Sequence, residues 1–169
     1  WFDSLQSVTD SLKKRGPDAG NIWQNNNAAL AHRRLSIIDV SENANQPLWD
    51  ESKKYCIIFN GEIFNYRELK TELVKQGVSF LTQSDTEVVL QLFIREGEKF
   101  LNRLNGFYAL AIYDSIYNKM LVARDRYGVK PLYYFFDESV FVFASEMKAL
   151  LYSGIIPFEL DFNAIQLYF

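Results

Sequence analysis

The chain has 169 residues, a length typical of one domain, and 49% of them are hydrophobic, which is enough for a large core. The formal net charge of −3, without any run of basic residues, gives no indication of a nucleic-acid or membrane-surface partner. A single cysteine, Cys56, cannot form an internal disulfide, and no apolar run reaches the roughly 18 residues of a membrane span. We therefore expect a protein of a reducing compartment, the cytoplasm by default.

In chain order, the first segments predict a helix and then short strands. Apolar residues at helical spacing over residues 2–12, followed by Gly16, predict the first helix. Two or three short strands around an Asn-rich turn are expected between residues 21 and 40. The apolar run Tyr55–Phe59 is typical of a buried strand.

Two further helices are predicted from N-capping patterns. Asn65 and Ser84 are N-cap candidates, and each is followed three residues later by a glutamate, Glu68 or Glu87, in the position of a capping box. Residues 78–82, between these helices, are expected to form a short strand.

The second half of the chain predicts strands. Four apolar runs of strand length indicate a meander of antiparallel strands: "FYALAIYD", "KMLVARD", "PLYYFFD" and "VFVFASE". They are apolar at nearly every position, so both faces should be covered. Together with about three helices, they predict an α+β fold in which two mainly antiparallel sheets are stacked between helical layers, an αββα sandwich.

The segment Asn60-Gly61-Glu62 is the first candidate for chemistry. Asn-Gly usually marks a tight turn, but no matching second strand follows at once. The alternative is an oxyanion hole, in which the Asn60 side-chain amide and the Gly61 N–H point at one oxygen. Glycine permits the close approach and the unusual backbone angles that such a site needs.

Charged residues in apolar surroundings give further candidates. Arg33 and Arg34 lie in one apolar strand, so alternation sends them to opposite faces. The one that faces a layer needs an anion, either in a structural ion pair or on a substrate carboxylate. Asp85, at the start of a helix, is either a cap or the anion that holds a substrate ammonium. The only histidine, His32, is more typical of a structural role.

The residue pattern excludes several other chemistries. There is no Cys/His cluster for zinc, no Gly-rich phosphate loop with a lysine, and no dinucleotide-binding glycine pattern. A serine triad would have to use His32, and no serine elbow precedes it. What remains suits an amino acid whose side-chain carbonyl is attacked, because it combines a carboxylate fork, an ammonium anchor and an oxyanion hole.

Most of the chain resembles the glutamine-hydrolysing domain of asparagine synthetases. Several blocks in the same order make the resemblance specific, although an isolated Asn-Gly element is shared with other class II glutamine amidotransferases. The matching segments are "RGPDAG" (15–20), "AHRRLSIIDV" (31–40), "FNGEIFNYREL" (59–69), "SDTEVVL" (84–90), "GFYALAIYD" (106–114), "ARDRYGVKPLYY" (123–134) and "FASEMKAL" (143–150).

The resemblance implies an N-terminal-nucleophile hydrolase. In that family a cysteine at the start of the mature chain attacks the glutamine amide, its own α-amino group acts as the base, ammonia leaves a thioester, and water releases glutamate. The resemblance places the oxyanion hole at Asn60 and Gly61, and the substrate carboxylate at Arg34. The other substrate-binding residues that it implies are Leu35, Ile37, Glu62 and Asp85, with Asp85 chiefly on the α-ammonium.

The family's nucleophile has no match in these residues. It lies on a strand upstream of the first helix, whereas Cys56 is internal. The expectation is therefore that residues 1–158 form the amidotransferase domain without its extreme N-terminus. Residues 159–169 would begin a linker or helix toward a synthetase domain, and the chain tested alone would be inactive.

The expected partners follow from the same resemblance. They are L-glutamine and a C-terminal synthetase domain of the same protein; a homodimer is also allowed, while nucleic acid and membrane are not expected. This domain is expected to use no cofactor or metal, and ATP and Mg²⁺ belong to the synthetase domain. Two alternatives stay open: a related amidotransferase with a different ammonia acceptor, and a non-catalytic glutamine-binding domain without a nucleophile.

Overall fold

The computed structural model describes residues 4–36 and 38–168, so Phe2 of the predicted first helix lies outside the described residues. The helices are α1 Leu5–Ser11, α2 Tyr66–Lys75, α3 Asp85–Glu96, α4 Met147–Tyr152 and α5 Phe162–Tyr168, with 3-10 helices at Glu42–Ala44 and Gly97–Arg103. The strands are β1 Ala19–Gln24, β2 Ala29–Arg34, β3 Leu48–Trp49, β4 Tyr55–Ile63, β5 Gly106–Asp114, β6 Lys119–Arg124, β7 Tyr133–Phe136 and β8 Phe141–Ala144.

The strand pairs in the described residues are antiparallel, as predicted. β3, β4, β5 and β6 form a four-stranded sheet in that order, while β1–β2 and β7–β8 form two hairpins. In the central pair, every residue of β4 has a partner in β5, from Tyr55 opposite Asp114 to Ile63 opposite Gly106. This continuous pairing fixes the face that each β4 side chain occupies, because neighbouring residues alternate between faces.

Helices cover one face of the four-stranded sheet. Ile57 and Phe59 from β4 and Leu110 from β5 pack in one buried cluster with Val88 and Leu92 from α3. Helix α2 packs against α3 and adds its own apolar side chains to this cluster. The odd-numbered side chains of β4 therefore face the helical layer.

The two hairpins cover the other face of the sheet. Cys56 of β4 and Tyr113 of β5 form a second buried cluster with Leu30 of β2, and Trp23 and Phe143 pack against it from β1 and β8. Helices α1 and α4 contact each other and the strands of both hairpins. The layer order is thus α2 with α3, the four-stranded sheet, the hairpins, and α1 with α4. This is the predicted αββα sandwich, with a second sheet layer made of two separate hairpins in the described part of the chain.

Several predicted strand boundaries are wrong. β4 continues past Phe59 to Ile63 because β5 pairs with it over its whole length. Residues 78–82 do not form a strand, since two of their backbone N–H groups donate to the carboxylate of Glu87 instead of to a neighbouring strand. The predicted four-strand meander is divided into the β5–β6 pair, which belongs to the four-stranded sheet, and the separate β7–β8 hairpin. The division arises because the chain between β6 and β7 turns around Asp125, whose carboxylate accepts from four backbone N–H groups. Most of β7 is exposed, so the expected coverage of both faces fails there.

The two predicted N-caps have different outcomes. Ser84 is confirmed, because its Oγ accepts a hydrogen bond from the Glu87 N–H at 3.3 Å. Asn65 makes no side-chain cap. Its side chain instead donates to the Arg103 carbonyl and accepts from the Asn105 N–H, and so ties the start of α2 to the start of β5.

We predict that Ser84→Ala lowers the free energy of unfolding by about 1–2 kcal/mol, the usual cost of removing a helix cap. The matched control is Ser11→Ala in α1, whose hydroxyl donates only to the Val8 carbonyl of its own helix; we expect a change within about 0.5 kcal/mol there. Urea unfolding of both variants measures the difference, and equal losses would contradict the capping role.

Candidate active site

Hydrogen bonds at the two ends of the β4–β5 pair show which edge each β4 residue faces. The Phe64 N–H donates to the Asn105 carbonyl at 2.7 Å beyond one end, and the Ser115 N–H donates to the Lys54 carbonyl at 2.9 Å beyond the other. Bonded and non-bonded pairs alternate in an antiparallel ladder. The even-numbered residues of β4 therefore bond to β5, and the odd-numbered residues direct their N–H and C=O groups to the opposite edge.

That opposite edge is covered by a strand only where the two residues of β3 pair with Cys56 and Ile57. At three other odd-numbered positions, side chains replace the missing strand because a buried N–H needs an acceptor. The three bonds are Tyr55 N–H to Asp50 Oδ1 at 2.6 Å, Phe59 N–H to Gln46 Oε1 at 2.6 Å, and Ile63 N–H to Asp85 Oδ2 at 3.1 Å.

Gly61 lies between the last two of these positions, and its N–H has no acceptor among the described side chains. A Cβ here would lie 2.4 Å from the Phe107 carbonyl oxygen and 2.8 Å from the Tyr108 Cα, so only glycine fits beside β5. The φ of Gly61 is not in the left-handed region. Close approach, and not an unusual backbone angle, therefore explains this glycine.

Asn60 places its side chain on the face of β4 that looks toward the hairpins, since it shares the alternation of Cys56. The side chain is half-buried, and no described residue hydrogen-bonds to its amide. The Asn60 amide and the neighbouring Gly61 N–H are thus two donors that remain available at one point of the strand edge. Asn60-Gly61 is paired strand, and the interpretation of this dipeptide as a tight turn is wrong.

Arg34 is a buried cation that forms no direct ion pair in the described part of the chain, although its charge contributes, after the hydrogen bond from the Gln83 N–H, to lowering the pKa of Asp39. It is 8% exposed, and its guanidinium donates to three neutral oxygens: the Ser41 carbonyl at 3.0 Å, the Asn45 Oδ1 at 2.8 Å, and the Asp39 carbonyl. It forms no ion pair with any described carboxylate. Two of its five N–H groups are left without an acceptor in the described part of the chain, which is the number that a bidentate carboxylate needs.

Two acids near Gly61 show the opposite imbalance. Asp85 is 5% exposed, and Glu62 is exposed on β4. Burial raises the pKa of Asp85, and the negative charge of Glu62 adds to the rise, while backbone N–H groups, first that of Ile63, oppose it. Neither acid forms an ion pair with a described lysine or arginine. A bound cation would offset both the cost of burying the Asp85 charge and its repulsion by Glu62.

One cavity of about 1290 Å³ brings these residues together. Its lining includes Arg34, Leu35, Asn60, Gly61, Glu62 and Asp85. Leu35 is 55% exposed, and Ile37 lies outside the described residues. Six of the seven residues singled out in the sequence therefore share one cavity, although they come from three separate segments.

The two neighbouring arginines do face opposite ways. Arg33 points toward α1, where its Nε donates to the Gly16 carbonyl at 3.1 Å and its Nη1 lies 3.9 Å from the Asp10 carboxylate. With 13% of its side chain exposed, it is covered and not solvated. Both arginines contribute atoms to the cavity lining, but Arg34 is the one whose guanidinium lies on the face of β2 shared with Leu30 and His32.

Two cavity residues with specific contacts, Gln46 and His32, were not predicted as site residues. Gln46 is buried and connects the Phe59 N–H to the Thr86 hydroxyl, which its Nε2 approaches to 3.3 Å. His32 Nε2 lies 3.2 Å from the Phe59 carbonyl, and its buried Nδ1 has no partner among the described residues. No local sequence signal marks Gln46, because its role depends on contacts with distant segments.

The only thiol is unsuited to attack a substrate. Cys56 is fully buried in the cluster between the sheet and the hairpins. Burial raises its pKa to about 12, so it is protonated at neutral pH, as the apolar strand predicted.

The described residues include neither a metal-binding cluster nor a membrane-spanning helix. No group of three or more His, Cys, Asp or Glu side chains among them could hold a metal ion. Within the same residues, no helix is long and apolar enough to cross a membrane.

Comparison with known proteins shows the family. Residues 2–169 match the model of the glutamine amidotransferase domain, and the chain belongs to that family. It is 40% identical over 160 residues to asparagine synthetase (glutamine-hydrolyzing) 3 of Bacillus subtilis (strain 168), covering 94% of this chain and 26% of that protein. It is 44% identical over 141 residues to asparagine synthetase B (glutamine-hydrolyzing) of Escherichia coli (strain K12), covering 83% and 25%. The chain thus spans about a quarter of the length of these relatives.

A solved structure supports the fold. The glutamine phosphoribosylpyrophosphate amidotransferase from Bacillus subtilis matches with a TM-score of 0.64 and 31% identity, over 75% of this chain and 29% of that one. The predicted αββα sandwich of the N-terminal-nucleophile hydrolase type is confirmed by this likeness together with the four layers described above.

We predict a pH-dependent contribution of His32 to stability. The His32 pKa is lowered from 6.5 to about 4, mainly by burial; the Phe59 carbonyl opposes the change, and the positive charge of Arg34 contributes to it. The unfolded chain therefore binds the proton first, and the stability that comes from neutral His32 is complete above pH 6.5 and lost as the pH falls toward 4. A pKa difference of this size corresponds to about 3 kcal/mol.

The measurement compares the free energy of unfolding at pH 7 and pH 4 in the unsubstituted protein and in His32→Asn. All carboxylates titrate in both proteins and cancel in the comparison. The loss on acidification should be smaller in His32→Asn by about 2–3 kcal/mol. Equal losses would show that His32 is not held neutral by the fold.

Proposed function

We propose that this domain hydrolyses L-glutamine to glutamate and ammonia, as part of a glutamine-hydrolysing asparagine synthetase. The observation that carries the proposal is the pair of unmatched charges in one cavity. Arg34 is a buried cation that forms no ion pair with a described carboxylate, and the acids Asp85 and Glu62 form none with a described lysine or arginine. A free amino acid carries both complementary charges on one carbon.

The roles proposed for the site residues follow from this complementarity. The substrate carboxylate accepts from the two N–H groups of Arg34 that remain available, and the α-ammonium donates to Asp85 and Glu62. Leu35 and Ile37 are proposed to contact the substrate through their backbone. The Asn60 amide and the Gly61 N–H then face the side-chain carbonyl oxygen of the bound glutamine.

The proposed reaction has two steps. A cysteine thiolate attacks the amide carbon, and the electron pair of the C=O bond moves to the oxygen, where Asn60 and Gly61 stabilise the negative charge. The intermediate collapses to a thioester, and the leaving nitrogen takes the proton that the base removed from the thiol and departs as ammonia. Water then attacks the thioester in the same oxyanion site and releases glutamate and the thiol.

The thiolate in this proposal is the family's N-terminal cysteine, with its α-amino group as base, and not Cys56. Cys56 is closed off in the core with a pKa of about 12, and it has no α-amino group of its own. The site residues described here supply binding and charge stabilisation.

The acceptor of the ammonia is proposed from the relatives. Because these are synthetases of about four times this length, the proposed partner is a synthetase domain of the same protein, in which ATP and Mg²⁺ activate aspartate. Residues 1–158 are proposed as the glutaminase domain and 159–169 as the start of the connection, which includes the exposed helix α5. A homodimer is part of the same proposal. So is a cytoplasmic location, because a free cysteine such as Cys56 is typical of a reducing compartment.

A matched pair of arginine variants tests substrate binding in the complete protein. We predict that Arg34→Met raises the KM for glutamine by about 10–100-fold, because a hydrogen bond to a charged group contributes about 1.5–3 kcal/mol. The control Arg33→Met removes an equally long cation from the opposite face of the same strand. Its KM should stay within about threefold, since the partners of the Arg33 guanidinium are Gly16 and Asp10, and neither is a proposed substrate-binding residue.

Steady-state glutaminase assays give the kcat and the KM of each variant. An unchanged KM in Arg34→Met would refute the carboxylate assignment. A complete protein that binds glutamine by calorimetry but releases no glutamate would instead support the alternative of a non-catalytic binding domain.

The oxyanion hole is tested by Asn60→Ala. We predict that kcat falls by about 10²–10³-fold with little change in KM, because one donor to the developing negative charge is lost. Cys56→Ala is the companion variant on the same face of β4, and its kcat should stay within about twofold if Cys56 is not the nucleophile. A change in KM alone for Asn60→Ala, or loss of activity in Cys56→Ala, would overturn the respective assignment.

A further inference from the structure

The peptide groups on both sides of Phe59 are held by side chains from outside the sheet. The Phe59 N–H donates to Gln46 Oε1 at 2.6 Å, and the Phe59 carbonyl is 3.2 Å from His32 Nε2. Phe59 directly precedes Asn60. We propose that Gln46 and His32 are positioning residues that aim the Asn60 amide and the Gly61 N–H, an inference that rests on the proposed glutaminase function.

The Gln46 contact connects the strand edge with the helix that carries Asp85. Gln46 is 7% exposed, and its Nε2 reaches the Thr86 hydroxyl at 3.3 Å. Thr86 follows Asp85, whose carboxylate accepts the Ile63 N–H on the same edge of β4. One side chain therefore sets the separation between the strand residues that face the substrate amide and the helix residue that faces its ammonium.

The His32 contact comes from the other sheet layer. A carbonyl oxygen only accepts, so Nε2 carries the proton in this bond and Nδ1 is the unprotonated nitrogen. The side chain lies on the same face of β2 as Leu30 and Arg34, by alternation along the strand. His32 thus fixes the distance between β2, which carries Arg34, and the Phe59–Asn60 peptide of β4.

A side-chain acceptor for the Phe59 N–H leaves the Gly61 N–H free, whereas a longer β3 would not. A third strand continuing along this edge would pair with Gly61 as well as with Phe59, and would take the N–H that the oxyanion needs. Gln46 satisfies the Phe59 N–H alone and leaves the Gly61 N–H free. The Phe59 and Ile63 N–H groups therefore have acceptors, while the Gly61 N–H between them remains available.

The test is a matched pair of variants in the complete protein, Gln46→Leu and Asp50→Leu. Both remove a side-chain acceptor from a backbone N–H on the same edge of β4, at Phe59 and at Tyr55 respectively. Gln46→Leu should lower kcat by about 10–100-fold and change KM less than threefold, because a displacement of less than 1 Å in reactive groups has effects of this order. Asp50→Leu should leave kcat of the folded protein within about twofold.

A conservative variant provides the rescue. Gln46→Glu keeps an acceptor for the Phe59 N–H, and the Thr86 hydroxyl can turn to donate to the carboxylate. Its kcat should lie within about fivefold of the unsubstituted protein. If Gln46→Leu does not fold, Gln46→Asn replaces it; that side chain is one methylene shorter and cannot span Phe59 and Thr86, so kcat should again fall while KM changes little.

His32→Phe completes a double-variant cycle with Gln46→Leu or its replacement. The two residues hold the peptide groups on either side of Phe59, so their effects should be coupled, and the double variant should lose less activity than the product of the two single losses. Unchanged kcat in the Gln46 and His32 variants, or an equal loss in Asp50→Leu, would overturn the positioning role. Absence of glutamine hydrolysis in the unsubstituted protein is a different outcome, which refutes the proposed function itself.

Discussion

The site depends on one edge of β4, most of which is not paired with a neighbouring strand. β3 pairs with β4 through only two residues, so the N–H groups of Phe59 and Ile63, farther along β4, must find other acceptors. Gln46 and Asp85 supply them, and each brings a different segment against the strand. The cavity exists because these segments meet β4 with single side chains and do not cover it with continuous backbone.

The same arrangement separates the charges of the site. Arg34 is surrounded by carbonyl and amide oxygens, which satisfy three of its N–H groups without neutralising its charge. Asp85 is satisfied in the same manner by a backbone N–H, although burial and Glu62 raise its pKa. Direct ion pairs would relieve these buried charges at lower cost but would leave no charge to attract a ligand. The electrostatic cost in the free protein is therefore what makes the cavity complementary to a zwitterion.

Local patterns in the sequence predict most helices and strands, and they predict the site through Asn60, Gly61, Arg34 and Asp85. They fail where a distant contact overrides a local preference. Asn-Gly is a turn signal, yet β5 holds it in paired strand because only glycine fits against the Phe107 carbonyl. Residues 78–82 have strand-like composition, but the Glu87 carboxylate takes their N–H groups.

Gln46 shows the limit of prediction most directly. It lies in a polar loop, and its function as a substitute for a strand is defined only by Phe59, 13 residues later, and Thr86, 40 residues later. The failed Asn65 cap has the same origin, because its side chain is used by Arg103 and Asn105. Polar side chains that bridge distant backbone groups leave no periodic signal.

The Cys56 thiol and the Asn60 amide lie on the same face of β4 but differ in their exposure to the cavity. Along the even-numbered positions, Cys56 is fully buried, Ile58 and Asn60 are half-buried, and Glu62 is exposed. The hairpins close over the beginning of this face and leave its end beside the cavity. At the closed end, burial raises the pKa of the Cys56 thiol and removes its reactivity. Four residues farther along the same face, the Asn60 amide keeps its donors free. The position of each side chain along the strand, more than its intrinsic reactivity, decides which of them is available to the cavity.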